Sequence, residues 1–198
     1  MMRQTPLAVV VTVVNASLMT AVLSSGHETR AVWWWAAVIL VAALRLGIWW
    51  AYQRRSGVTK TSVAPGWGTA GAFGAAAAGL LWGAGASWLW PQSEAHQLLW
   101  VFLIGGMCAG AAAIHNAHLP TALAFILPAG LPVAARYAFE NSQSGFAAMG
   151  MILVFLAALT VISQRSSTYF GDSLKLRARP PISESALRLV CWAGSLTR

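Results

Sequence analysis

The stretch from Gly106 to Pro120, "GMCAGAAAIHNAHLP", closes a long apolar run with two imidazoles three residues apart, His115 and His118. Imidazole is the side chain that titrates near neutral pH and the commonest metal ligand. If helix continued through the pair, a spacing of three would put both rings on one face. Asn116, however, tolerates the backbone conformation that ends helices, and Pro120 suits the first turn of a new one. The pair therefore reads first as a solvated turn between two apolar segments. A pH- or metal-responsive turn is the second reading, and it is short of ligands, because His27 and His96 fall at the other membrane face. Neither a metal nor a cofactor is expected.

Arg45 is the more unusual group, interrupting "AVILVAALRLGIWW" with a guanidinium. It lies nine residues inward from Arg54, about 13 Å at the helical rise. A charge at such depth is costly and usually faces the bundle interior or a polar partner. No Asp or Glu lies inside any expected span, so no ion pair is on offer. Asn15 falls at comparable depth. So does "FILPAGLPVAARY", where Pro128 and Pro132 stand one turn apart and free the carbonyls of Ala124 and Pro128. One expectation is a buried polar cluster of Arg45, Asn15, Ala124, Pro128 and Pro132, enclosing an anionic or polar ligand. The other is that Arg45 snorkels along its own stem to the interface.

Catalytic constellations are missing from the sequence. A membrane serine protease of the rhomboid kind needs a histidine on a span after its serine. Ser87 sits in "GASW" on the third expected span, and the fifth and sixth carry no histidine. Clustered acidic groups for phosphate chemistry are missing too. An enzyme is not expected.

The elements that hold these residues follow from hydropathy. The chain has 198 residues, 58% of them hydrophobic and only 9% charged, against about a quarter charged in soluble domains. Its apolar blocks reach the roughly 20 residues a helix needs to cross a bilayer. The expectation is all-α, a polytopic bundle of six transmembrane helices arranged as three antiparallel hairpins. The spans fall at roughly 6–24, 31–53, 67–90, 96–114, 119–139 and 145–163, so residues 1–163 form the membrane domain and 164–198 a basic tail. Solid apolar runs rather than alternation exclude a β-barrel.

The net charge of +8 would suggest nucleic acid in a soluble protein, but here it reads as topology, with the bilayer as partner and no nucleic acid. Arg3, Arg54, Arg55, Lys60 and the basic residues from Arg165 onward share one side if six helices cross. Arg30 and Arg136 lie opposite, beside Glu28, Glu94 and Glu140. Both termini are then cytoplasmic in a bacterial inner membrane. Trp33, Trp34, Trp35, Trp88, Trp90 and Trp100 are expected at the outer interface, and Trp49, Trp50 and Trp67 at the inner one. A competing expectation is a cleaved signal peptide ending near "VLSSG", which would leave five helices, although the apolar run exceeds the usual 7–15 residues. Gly79–Gly83 and Gly106–Gly110 have the GxxxG spacing of close helix approach, within one chain or in a homodimer. Cys108 and Cys191 give no disulfide framework.

The stretch "HQLLWVFLIGGMCAGAAAIHNAHLPTALAFILPAGLPVAARY" carries a resemblance. With His96-Gln97, Gly106-Met107, Gly110-Ala111, His118-x-Pro120, Phe125, Pro128, Pro132 and Arg136, it resembles the six-helix membrane input region of many bacterial signalling proteins. Those proteins carry cytoplasmic diguanylate cyclase, cyclic-di-GMP phosphodiesterase or histidine kinase modules. "LRLGIWWAYQRR" and "GLLWGAGASWLWP" look like that family's second and third spans, so the resemblance covers roughly residues 6–177. It implies a sensory module whose signal leaves through the sixth span, with a homodimer or a membrane signalling protein as partner. "RSSTYFGDSLKLRAR" begins like the family's connector, whereas Pro180-Pro181 disfavours continued helix and no output-domain motif follows. The expectation is an input module cut short of its output domain. A small transporter or channel subunit is the alternative, suggested by Arg45 and the proline-interrupted span.

Overall fold

The computed structural model describes residues 5–56, 66–115 and 118–177. Asn116, Lys60, Cys191, Arg179 and the Pro180-Pro181 break lie outside the described residues. Those described form five helices and short turns, with no strand among them: α1 Thr5–Ser56, α2 Gly66–Trp88, α3 Glu94–Ile114, α4 Leu119–Phe139 and α5 Gln143–Arg177. Five stretches are long and apolar enough to cross a membrane: Pro6–Leu23, Thr29–Ala51, Glu94–Ile114, Leu119–Phe139 and Gln143–Tyr169. This is the composition of a multi-pass membrane protein, in which helices satisfy their own backbone polar groups. The glycine- and alanine-rich α2 is not among those five stretches.

α1 contains two of the five, and its two arms lie side by side. Trp35 Nε1 donates to Ser17 Oγ at 3.0 Å. On a straight helix those residues would stand about 27 Å apart. Val9 and Thr12 also share a small cavity with Val38, Ala42 and Arg45. The contacts run in opposite directions along the two arms, so the chain turns back between Ser17 and Trp35. The expected break at "SSGHET" is thus a reversal within one helical run rather than a loop between two helices.

α4 is the hub, packed most extensively on α2 and then on α5 and α3. Glycines on α2 set the closest approach. A Cβ at Gly79 would stand 2.5 Å from the Phe125 carbonyl oxygen. One at Gly83 would overlap the Pro128 oxygen and come within 2.8 Å of Pro132 Cγ. Pro128 and Pro132 both lie inside α4, which runs helical through them. Pro132 has no N–H to give the Pro128 carbonyl. That oxygen instead faces the Cα of Gly83, where only a weak C–H···O contact fits. The prolines therefore serve the α2–α4 contact.

The expected aromatic belt is only partly what forms. Trp34 and Trp100 are core residues, packed edge-on with Trp82 at ring separations of 5.0, 5.4 and 6.2 Å. Trp34 lies across Gly85, where any Cβ would overlap its indole, and its Nε1 donates to the Leu81 carbonyl at 2.9 Å. A small residue on α2 thus admits a large ring from α1, and edge-to-face geometry suits three indoles better than stacking.

α4 closes with Asn141 in the left-handed region, φ 50°, as helix ends often require. The Ser142 hydroxyl then accepts from the Gly145 N–H at 3.0 Å, capping α5.

Candidate functional site

Arg45 sits on the second arm of α1 with its stem laid on α2. A Cβ at Gly74 would meet Arg45 Cγ at 3.5 Å, an ordinary van der Waals distance, so the stem runs along α2 at this point. No carboxylate occurs between Glu28 and Glu94 in the sequence, and none among the described residues pairs with Arg45. The group is half-buried, and its charge is unpaired among the described residues.

Beside it opens a cavity of about 420 Å³ between α1 and α3, floored by Ala75 of α2 and Phe125 of α4. Arg45, Asn15 and His115 all line it. The Asn15 amide has no hydrogen-bond partner among the described residues. Thr12, on the same wall, is already committed, its hydroxyl donating to the Ala8 carbonyl at 2.8 Å. On its other flank Arg45 borders a space of about 10 Å³ with Thr12, Val38 and Trp82, near the lower limit for one water molecule.

His115 and His118 part company. His118 is the N-cap residue of α4, with Nδ1 2.7 Å from Thr121 Oγ1, so its ring is held at the turn. His115 caps the C-terminus of α3, and its buried Nδ1 has no partner among the described residues. Burial first, and then the Arg45 charge, push the His115 imidazole down to about 4. It is neutral at physiological pH, with one ring nitrogen a donor and the other an acceptor. No group of three metal-ligating side chains occurs among the described residues.

The sequence-expected cluster is therefore divided. Arg45 and Asn15 come together, with His115 as a third member that sequence depth did not assign to them. Pro128 and Pro132 belong to the α2 contact, and Ala124 packs against the core. The two GxxxG pairs divide as well. Gly79 and Gly83 are in tight contact with α4, whereas Gly106 and Gly110 face open space and border the cavity.

The opposite end of the bundle holds a polar network that the sequence reading did not single out. Trp90 Nε1 and Gln97 Nε2 both donate to Glu140 Oε1, at 2.8 and 3.0 Å. Gln97 also donates to the Pro91 carbonyl at 3.1 Å. Tyr137 meets Trp90 edge-on at 5.0 Å, and the Arg136 guanidinium lies 5.8 Å from the same ring. These residues are far apart in sequence. Gln97 and Arg136 stand among the residues of the resemblance and Glu140 at a span end, but no spacing in the sequence joins them.

A second cavity, about 450 Å³ between α3, α4 and α5, is walled by apolar side chains, glycines and the Cys108 thiol. Cys108 is free and buried, with Sγ 3.9 Å from the Ile126 oxygen. It offers a ligand no charge.

No family model, curated protein or solved structure matches this chain.

Proposed function

We propose that the chain is the membrane-embedded input region of a bacterial signal-transduction protein, of the cyclic-di-GMP or two-component kind. In this reading it crosses the inner membrane six times, as three antiparallel hairpins with both termini cytoplasmic. α2 supplies the crossing beyond the five most apolar stretches. The chain performs no reaction of its own; its partners are the bilayer and either a second copy or a membrane signalling protein.

The observation that carries the reading is α5. It is one helix of 35 residues from Gln143 to Arg177. At 1.5 Å per residue it measures about 52 Å, against roughly 30 Å of hydrocarbon. It rests on α4 within the bundle and continues past Ser163 and Arg165 without a break. A shift of α4 would be delivered to the far end of α5 as a rigid displacement, which is how packed helices transmit small movements. The cavity beside Arg45 supplies a place where a stimulus could act. The resemblance of residues 6–177 to membrane input regions points the same way.

A diguanylate cyclase module joined after Arg198 tests the reading in the full chain. Arg45→Leu is expected to change cyclic-di-GMP output severalfold at equal membrane level. Output that ignores every cavity substitution, together with solute flux in proteoliposomes, would replace this reading with a transporter or channel subunit.

A further inference from the structure

The cavity beside Arg45 has a direction as well as a polar end. The α1 and α3 backbones stay apart although Trp34 packs on Trp100, and the gap between them is the cavity's mouth. The mouth is rimmed by Leu7, Val11 and Phe102, which are 62%, 44% and 84% exposed. Such side chains on a membrane helix face lipid, so the opening is lateral, into the bilayer. Inside, Leu103, Met107 and Phe125 make an apolar wall, and Gly106 and Gly110 leave it unobstructed. The walls carry one positive charge, Arg45, and no negative one. Two neutral groups, Asn15 and His115, stand on the same lining, and the Asn15 amide has no hydrogen-bond partner among the described residues.

We propose that this cavity binds an amphiphile drawn from the bilayer, a long-chain monocarboxylate, with its carboxylate on Arg45 and its tail leaving between α1 and α3. One guanidinium balances one negative charge, and its planar fork matches a carboxylate bidentately. A phosphate monoester would bring up to two charges against that single cation. Asn15 and His115 offer the headgroup additional hydrogen bonds. The ligand's charge also explains how Arg45 is tolerated: an unpaired buried cation is costly, and a bound carboxylate supplies the missing partner. This inference rests on the sensory reading and names the ligand class of its site.

Binding of radiolabelled palmitate to the full-length protein in detergent micelles tests it. Saturable binding is expected, displaced by unlabelled palmitate and not by hexadecanol or acetate. Arg45→Gln should weaken binding about 10-fold to 100-fold, the range for losing a hydrogen-bonded charge. Gly106→Leu, which narrows the tail path without touching Arg45, should weaken it too and serves if Arg45→Gln fails to fold. Glu140→Gln, at the other end of the bundle, should leave it unchanged. Equal displacement by hexadecanol, or full binding in both cavity variants, overturns the proposal. Displacement by acetate as effective as by palmitate overturns it in favour of a small soluble anion. Displacement by phosphatidic acid at far lower concentration than palmitate overturns it in favour of a phospholipid headgroup. The readout is binding alone, so a failure here leaves the cyclase-fusion test of the sensory reading standing. Intact binding with an unresponsive fusion sinks only the sensory reading.

Discussion

The two ends of this bundle handle polar groups in opposite ways. At one end Trp90, Gln97 and Glu140 share hydrogen bonds of 2.8 and 3.0 Å, and Tyr137 and Arg136 pack on the same indole. At the other, Arg45, Asn15 and His115 face a cavity of about 420 Å³ without partners among the described residues. A closed network holds the α2–α3 turn to the end of α4 and has little capacity left for a ligand. An open one is expensive for the fold unless something else completes it. The first end therefore reads as structure and the second as a site.

If that distinction is right, substitutions at the two ends should move stability in different directions. The largest loss is expected from Glu140→Ala, which takes the shared acceptor from both Trp90 and Gln97. We expect about 1–2 kcal/mol of destabilisation in reversible unfolding in mild detergent, at the lower part of the range for orphaned donors because Glu140 is exposed. Trp90→Phe should follow at about 1 kcal/mol, removing one donor while keeping an aromatic ring against Tyr137. Arg45→Leu should cost nothing or raise the melting temperature of the ligand-free protein, since it deletes an unpaired, half-buried charge and substitutes apolar contact. A loss at Arg45 as large as at Glu140 would break the comparison, because Arg45 would then be a structural partner like the rest.

Much of the architecture was legible in the sequence, and the reasons differ by residue. Leu119–Phe139 was expected to be a span and is α4 over the same residues, because a turn on each side bounds an apolar run. Arg45 stood out because depth along one helix is a one-dimensional property. What depth counted along one helix cannot give is how its neighbours are set against it. Arg45 meets α2 at Gly74 and the Pro128 carbonyl meets it at Gly83, nine residues further along, so equal counted depth did not bring the two together. Trp34 and Trp100 were expected at an interface because indoles favour it, yet Gly85 opens a niche on α2 that only the folded bundle defines. The Glu140 network was illegible for the same reason. Its members are 43 and 50 residues from their acceptor, and no spacing rule joins them.

The narrowest effect, confined to the acid side, sharpens the comparison through pH. His115 has its folded-state pKa pushed down to about 4 by burial and by Arg45, against 6.5 in the unfolded chain. Between those values the unfolded state binds the proton and the folded state does not, so stability rises with pH across the window. The contribution is complete above about 6.5 and is lost as pH falls toward 4. His115→Gln removes the titration while keeping a hydrogen-bonding side chain at the cavity wall. Melting temperatures taken from pH 4.5 to 7.5 should therefore show wild type losing a few degrees more than His115→Gln on the acid side, and the two running parallel above pH 7. In the Arg45→Leu background the difference should shrink, because part of the depression comes from the guanidinium. Identical acid profiles in wild type and His115→Gln would mean that the imidazole is not held neutral beside Arg45, and the open end would lose one of its three groups.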